Sequence, residues 1–111
     1  MAITKDYGDR WERNRERARE RSRTISKFKI DLKLKAGKCV DCEMKVTENN
    51  WMCFDWDHIE PGSKTQQVSQ LSNIDRIVAE IAKCELRCRN CHAIRTHRER
   101  ERFVRHEIIL R

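Results

Sequence analysis

Two cysteine pairs constrain this chain more than any other feature. Cys39-Val40-Asp41-Cys42 and Cys88-Arg89-Asn90-Cys91 are both Cys-x-x-Cys, and they lie far apart in a chain of 111 residues. Each pair makes a knuckle that presents two sulfurs to one side. Two such pairs supply the four thiolates of a tetrahedral Zn²⁺ site, whereas one pair alone reads equally well as a redox motif. The expected ion ties the N-terminal third of the chain to the C-terminal third. Such a staple is needed, because hydrophobic residues are only 38% of the chain and charged residues 39%, which leaves a thin core. Cys53 and Cys84 sit in apolar, strand-like contexts and read as small buried hydrophobes.

No charged-then-apolar leader opens the sequence and no apolar run approaches the length of a bilayer span. The expectation is a cytoplasmic protein without a membrane partner, whose thiols are kept reduced. The net charge of +7 is uneven. Residues 1–38 carry thirteen Lys/Arg against six Asp/Glu, residues 39–92 six against nine, and residues 93–111 six against three. Basic arms flanking an acidic centre suit a polyanion outside and a divalent cation inside. A merely solvated, salt-bridged surface is the competing reading for the mixed Arg/Glu segment.

The spacing predicts a helix over residues 5–35, with Arg and Glu interleaved and Gly37 ending it. Its apolar residues Trp11, Ala18, Ile25, Phe28 and Leu32 form a thin stripe, suited to docking on the domain or on a second copy. Trp51–Ile59 reads as an aromatic-rich strand broken by Pro61-Gly62. Ser72-Asn73-Ile74-Asp75 has the look of a capping box, and Ile74, Ile77, Val78 and Ile81 follow as a core-facing stripe. Cys84–Cys88 reads as a second strand and Asn90 onward as a helix.

The chemistry concentrates at Asp57-His58 on the first strand and at Asn90 and His92 beside the second knuckle. A carboxylate and an imidazole from separate elements can hold one cation with open positions. A second, metal-free neutral His can take a proton from water near pH 7. These are the parts of a one-metal phosphodiesterase. Adjacent strand residues face opposite ways, so Asp57 and His58 can serve one site only if the backbone leaves regular β geometry there.

Over residues 38–97 the chain resembles the HNH endonucleases, and more closely the small zinc-knuckle HNH proteins of bacteria and their phages. The resemblance rests on Cys39-x-x-Cys42, Phe54-Asp55-Trp56-Asp57-His58-Ile59, Lys64, Val68-Ser69, Glu80 to His92, and Arg95-Thr96. It implies an α+β fold with a ββα-metal core, here stapled by the four-Cys zinc site and preceded by a long basic helix. It also implies hydrolysis of DNA phosphodiesters with Mg²⁺ or Mn²⁺, leaving a 5′-phosphate and a 3′-hydroxyl. By position, Asp57 and His92 would ligate the catalytic cation and His58 would be the general base. The family's orienting Asn commonly lies nine residues before the helix ligand, where this chain has Lys83. Asn90 and Asn73 are the candidates to replace it. A third ligand is often a His four residues after the first, where this chain has Thr96, and His97 lies well off that helix face.

The expected division is a basic helical arm over 1–37, a zinc-stapled HNH domain over 38–100 and a helical extension over 101–111. DNA phosphates would be met by Lys64, Arg95 and Arg98, and by Arg13, Arg17 and Arg21 on the arm. Alternatively the arm joins two copies, or a phage protein, through Trp11, Ala18 and Ile25. The expected function is a metal-dependent DNA endonuclease of a bacterial cell or its phage. The rival is a non-catalytic zinc-knuckle module that binds nucleic acid or a phage machine, supported by Lys83 and Thr96.

Overall fold

The structure is a computed structural model; it describes the backbone of residues 2–110 and the side chains of residues 8–101. Among these it contains helices α1 (Ala2–Ala36), α2 (Ile74–Ile81) and α3 (Arg89–Leu110), and strands β1 (Phe54–His58) and β2 (Cys84–Cys88). The strands pair antiparallel, from Phe54 opposite Cys88 to His58 opposite Cys84. The architecture is therefore mixed: long helices around a small two-stranded ribbon.

α1 runs 35 residues, about 52 Å at helical rise. It stops at Gly37, whose φ of +88° only glycine adopts without strain, and whose N–H is donated to the Lys33 carbonyl at 3.1 Å. Its two halves differ. Residues 8–24 are exposed, while Ile25, Phe28 and Leu32 pack against a core cluster of Val68, Leu71 and Ile77. Lys33 Nζ anchors the second half by donating to the carbonyls of Trp51 at 3.4 Å and Phe54 at 2.7 Å. Over the described residues the first half of the arm is exposed, and Ile25 packs partly buried on the chain's own core.

The first knuckle follows directly. Lys38 and Lys45 form a β-bridge, and Val40 N–H is donated to the Leu86 carbonyl at 2.9 Å, which zips the knuckle onto β2. Cys39, Phe54, Leu86 and Cys88 form a second core cluster beneath it. Trp56 packs against both clusters and joins them.

Four expected details are corrected: the start of the strand, the burial of Cys53, the cap of α2 and the burial of its stripe. Trp51–Cys53 is a turn of 3₁₀ helix and the strand begins at Phe54, because Cys53 N–H is closed back onto the Asn50 carbonyl at 2.8 Å. Cys53 is consequently exposed, not a buried hydrophobe. The cap of α2 is Asn73, one residue later than expected: its Oδ1 accepts from Arg76 N–H at 3.1 Å. Of the α2 stripe, Ile77 is fully buried and Ile81 packs beside it, but Ile74 and Val78 are 44% and 50% exposed. An eight-residue helix touching the domain along one line buries residues three apart, and the second buried position on that line is Glu80. α3 passes unbroken through the expected boundary at residues 100/101; its apolar Phe103, Val104, Ile108 and Leu110, and His106, have side chains outside the described residues.

Candidate functional site

The two knuckles meet. One sulfur from each of Cys39, Cys42, Cys88 and Cys91 lies within 4.8 Å of all the others, and Cys42 Sγ is 3.7 Å from Cys88 Sγ. Among the described residues this is the only group of three or more Cys, His or acidic side chains placed to hold a metal ion, such as zinc. Cys39 and Cys88 are buried, Cys91 is half-buried and Cys42 faces solvent. Burial opposes ionisation of Cys39, but the backbone N–H groups of Cys42, Cys88 and Asp41 outweigh it and hold the thiol down at about 6. The bond to Cys88, reinforced by burial, pushes Cys91 up to about 12. One thiolate is thus favoured by the fold, and four together require a cation among them.

β1 is a regular strand to its last residue, so Asp57 and His58 point to opposite faces. The departure from β geometry that would aim both at one point does not occur. Asp55 and Asp57 share the face toward α3, where His92 stands in the first turn. His92 Nδ1 lies 3.3 Å from Asp55 Oδ2, and its Nε2 lies 3.7 Å from Asp57 Oδ1. A carboxylate can only accept, so the bond to Asp55 puts a proton on Nδ1, while Nε2 faces Asp57.

Two guanidinium groups hold the other oxygen of Asp57. Arg87 Nη1 donates to Oδ2 at 3.0 Å and Arg95 Nη1 at 2.7 Å. Arg95 also donates to the carbonyls of His58 at 3.2 Å and Ile59 at 3.1 Å, and its Nε is 3.2 Å from Glu99. With these bonds Arg95 fastens the end of β1 to α3. Arg87 is buried and also donates to Asp41, inside the first knuckle, and to Glu85, both at 2.7 Å. Burial works against its charge, but Asp41 and Glu85 hold its pKa above the usual value. Arg87 therefore links the thiol cluster to the Asp57 carboxylate.

His58 is buried on the opposite face and donates from Nε2 to Glu80 Oε1 at 2.7 Å. Glu80 is itself fully engaged: Thr65 N–H donates to it at 3.0 Å and Lys83 Nζ at 3.3 Å. The Thr65 N–H, then His58, and last Lys83 hold the Glu80 carboxyl down at about 2 against the effect of burial. Glu80 thus stands where an orienting group for His58 was sought. Asn73 is occupied as a helix cap, and Asn90 is exposed at the start of α3. Cys84, whose thiol donates to the Glu80 carbonyl at 3.3 Å, is pushed up to about 11 by burial and by the neighbouring carboxylates.

The remaining candidates lie at the surface. Lys64 and Arg98 are exposed, as are Arg13, Arg17 and Arg21, whereas Arg19 and Arg23 lean on Glu16. Thr96 and His97 border a shallow depression with Asp55 and His92, and His97 pairs with Glu101. Three site residues escaped the sequence reading: Asp55, Glu80 and Arg87. Only Glu80 left a signal, as a charge three residues past Ile77 on the buried line of α2.

No family model matches this chain, and no characterised protein or solved structure matches it either.

Proposed function

We propose that this protein is a metal-dependent DNA endonuclease of the HNH type, built on a ββα-metal core, with Zn²⁺ held by Cys39, Cys42, Cys88 and Cys91 as a structural ion. The single observation that carries the reading is the 3.7 Å between Asp57 Oδ1 and His92 Nε2. Asp57 and His92 are the residues that would hold the catalytic cation. The donor set, one carboxylate oxygen and one imidazole nitrogen, fits Mg²⁺ or Mn²⁺ with water and phosphate completing the shell. Asp55 supports it by fixing the His92 tautomer, as carboxylates do behind metal-bound imidazoles. The bound cation would supply charge stabilisation at a phosphate oxygen.

The chain's own groups do the rest. Glu80 holds His58 through Nε2–H, which leaves Nδ1 as the basic nitrogen. His58 lies on the face of β1 opposite Asp57 but borders the same cleft as His92. There its Nδ1 would take a proton from the attacking water as the new P–O bond forms, while the bond to the 3′ oxygen breaks and that oxygen takes a proton from solvent. The buried carboxylate of Glu80 then stabilises the imidazolium. Arg95 keeps the β1 terminus against α3, and Arg87, on β2, holds the Asp57 carboxylate. Arg13, Arg17 and Arg21 add sequence-independent phosphate contacts. One such centre cuts one strand, so a monomer nicks and a homodimer breaks both. The proposed setting is the cytoplasm of a bacterial cell, as a host or phage product.

A specific observation favours the second reading, a non-catalytic zinc-knuckle nucleic-acid-binding or phage-machine module. Asp57 Oδ2 is already neutralised by two guanidinium groups, as in a purely structural anchor. Plasmid nicking with Mg²⁺ or Mn²⁺, wild type against His58→Ala, decides. The nuclease is expected to nick and the variant to lose nicking while keeping its zinc. DNA retention with no metal-dependent nicking in the wild type establishes the binding module instead.

A further inference from the structure

We infer that the cleft between α1 and the β1–β2 ribbon seats one unpaired nucleotide, so that the strand acted on is presented single-stranded or locally opened. The cleavage part of this inference rests on the nuclease reading; the binding part stands alone. The cleft measures about 450 Å³, within the roughly 300–1,000 Å³ of small-molecule sites. Its lining includes Trp51, with Lys33 Nζ 5.7 Å from the ring centroid, the half-buried Trp56, and the lysines Lys29, Lys33 and Lys64. His58, His92 and Asp55 also border it, which leaves a net positive cavity beside the candidate reacting groups.

Two of the three cations are fixed in place. Lys33 is tied to the carbonyls of Trp51 and Phe54, and Lys29 to that of Ser69 at 3.2 Å. Burial pushes both below the usual lysine value, so each is short of the solvation its charge requires. An anion entering the cleft restores it. Lys64 stands exposed at the rim, free to follow a backbone phosphate. A free phosphate has no use for two indoles, and an apolar ligand has none for three ammonium groups. A nucleotide uses both, since every base offers a flat face to an aromatic wall whatever its sequence. In a duplex those faces are hidden in the stack. The exposed Arg-rich first half of α1 extends from the same helix and meets the flanking backbone.

The test uses zinc-loaded Trp11→Phe protein without Mg²⁺ or Mn²⁺, so that only Trp51 and Trp56 report. An oligothymidylate of about eight nucleotides is expected to quench their fluorescence saturably, at least about tenfold more tightly than a duplex of equal length. Adding Lys64→Glu is expected to weaken the single strand about tenfold with zinc content unchanged. Equal or tighter binding of the duplex, quenching indifferent to Lys64→Glu, or equal quenching by inorganic phosphate alone each overturns the inference. The two proposals fail separately. Metal-dependent nicking without single-strand quenching removes the cleft assignment and leaves the nuclease. Quenching as described without nicking removes the nuclease and leaves the cleft.

Discussion

The two ends of the β1–β2 ribbon are closed by opposite means. At the Phe54–Cys88 end, four sulfurs converge into a group that could hold a metal ion. At the His58–Cys84 end, closure comes entirely from the protein: Glu80 accepts from His58, Thr65 and Lys83, and Arg95 clamps the strand to α3. The first end is placed to hold an ion from solution, whereas the second carries its charge balance within the fold. Arg87 is the strut between them, with one hand on Asp41 and another on Asp57.

The sharpest way to break the comparison is at the thiol end. Cys88→Ser, or removal of zinc by a chelator, is expected to abolish the cooperative thermal transition, since a structural zinc site contributes on the order of 10 kcal/mol to folding. A melt that survives with no zinc bound would show that both ends are self-sufficient. Next in size is His58→Ala, expected to lower nicking by about 10²–10⁴-fold while the protein still carries zinc. A nicking assay beside a zinc assay separates loss of chemistry from loss of fold.

Asp55→Asn tests the acidic face. It is expected to weaken Mn²⁺ activation by about 10–100-fold, read from the metal concentration at half-maximal nicking, through His92 alone. A smaller effect is expected from pH. Glu80 titrates near 2 in the fold, below the ordinary carboxyl value of 4.5. Its stabilisation is therefore present in full above about pH 4.5 and lost as pH falls from there toward 2. The difference in melting temperature between wild type and Glu80→Gln is expected to shrink over that window. A constant difference across it would mean that the carboxylate charge is not what closes this end. Smallest is the triple change of Arg13, Arg17 and Arg21 to Ala. It is expected to leave the melt unchanged and to flatten the salt dependence of DNA binding by about three units of slope.

Much of this was legible in the residues themselves, and what was hidden has a common cause. The knuckle spacing placed the four thiols, the Arg/Glu pattern and Gly37 placed α1, and Asp57 and His92 do approach one another. The period of Ile74, Ile77, Val78 and Ile81 correctly indicated a helix but not how much of it is covered. The aromatic run at 51–59 could not reveal that its first three residues coil, because strand and short helical turn share the same apolar composition. The bond of Arg95 to Asp57 could not be read from the sequence because the two lie 38 residues apart.

From the sequence alone, then, come the local elements and the thiol cluster, since helical period, glycine conformation and knuckle geometry operate over a few neighbouring residues. Tertiary packing alone chose Glu80 for His58 and Arg87 for Asp57, and decided which half of α1 is exposed. Those choices depend on which charges are withdrawn from water together, and that is settled only when distant elements close on one another.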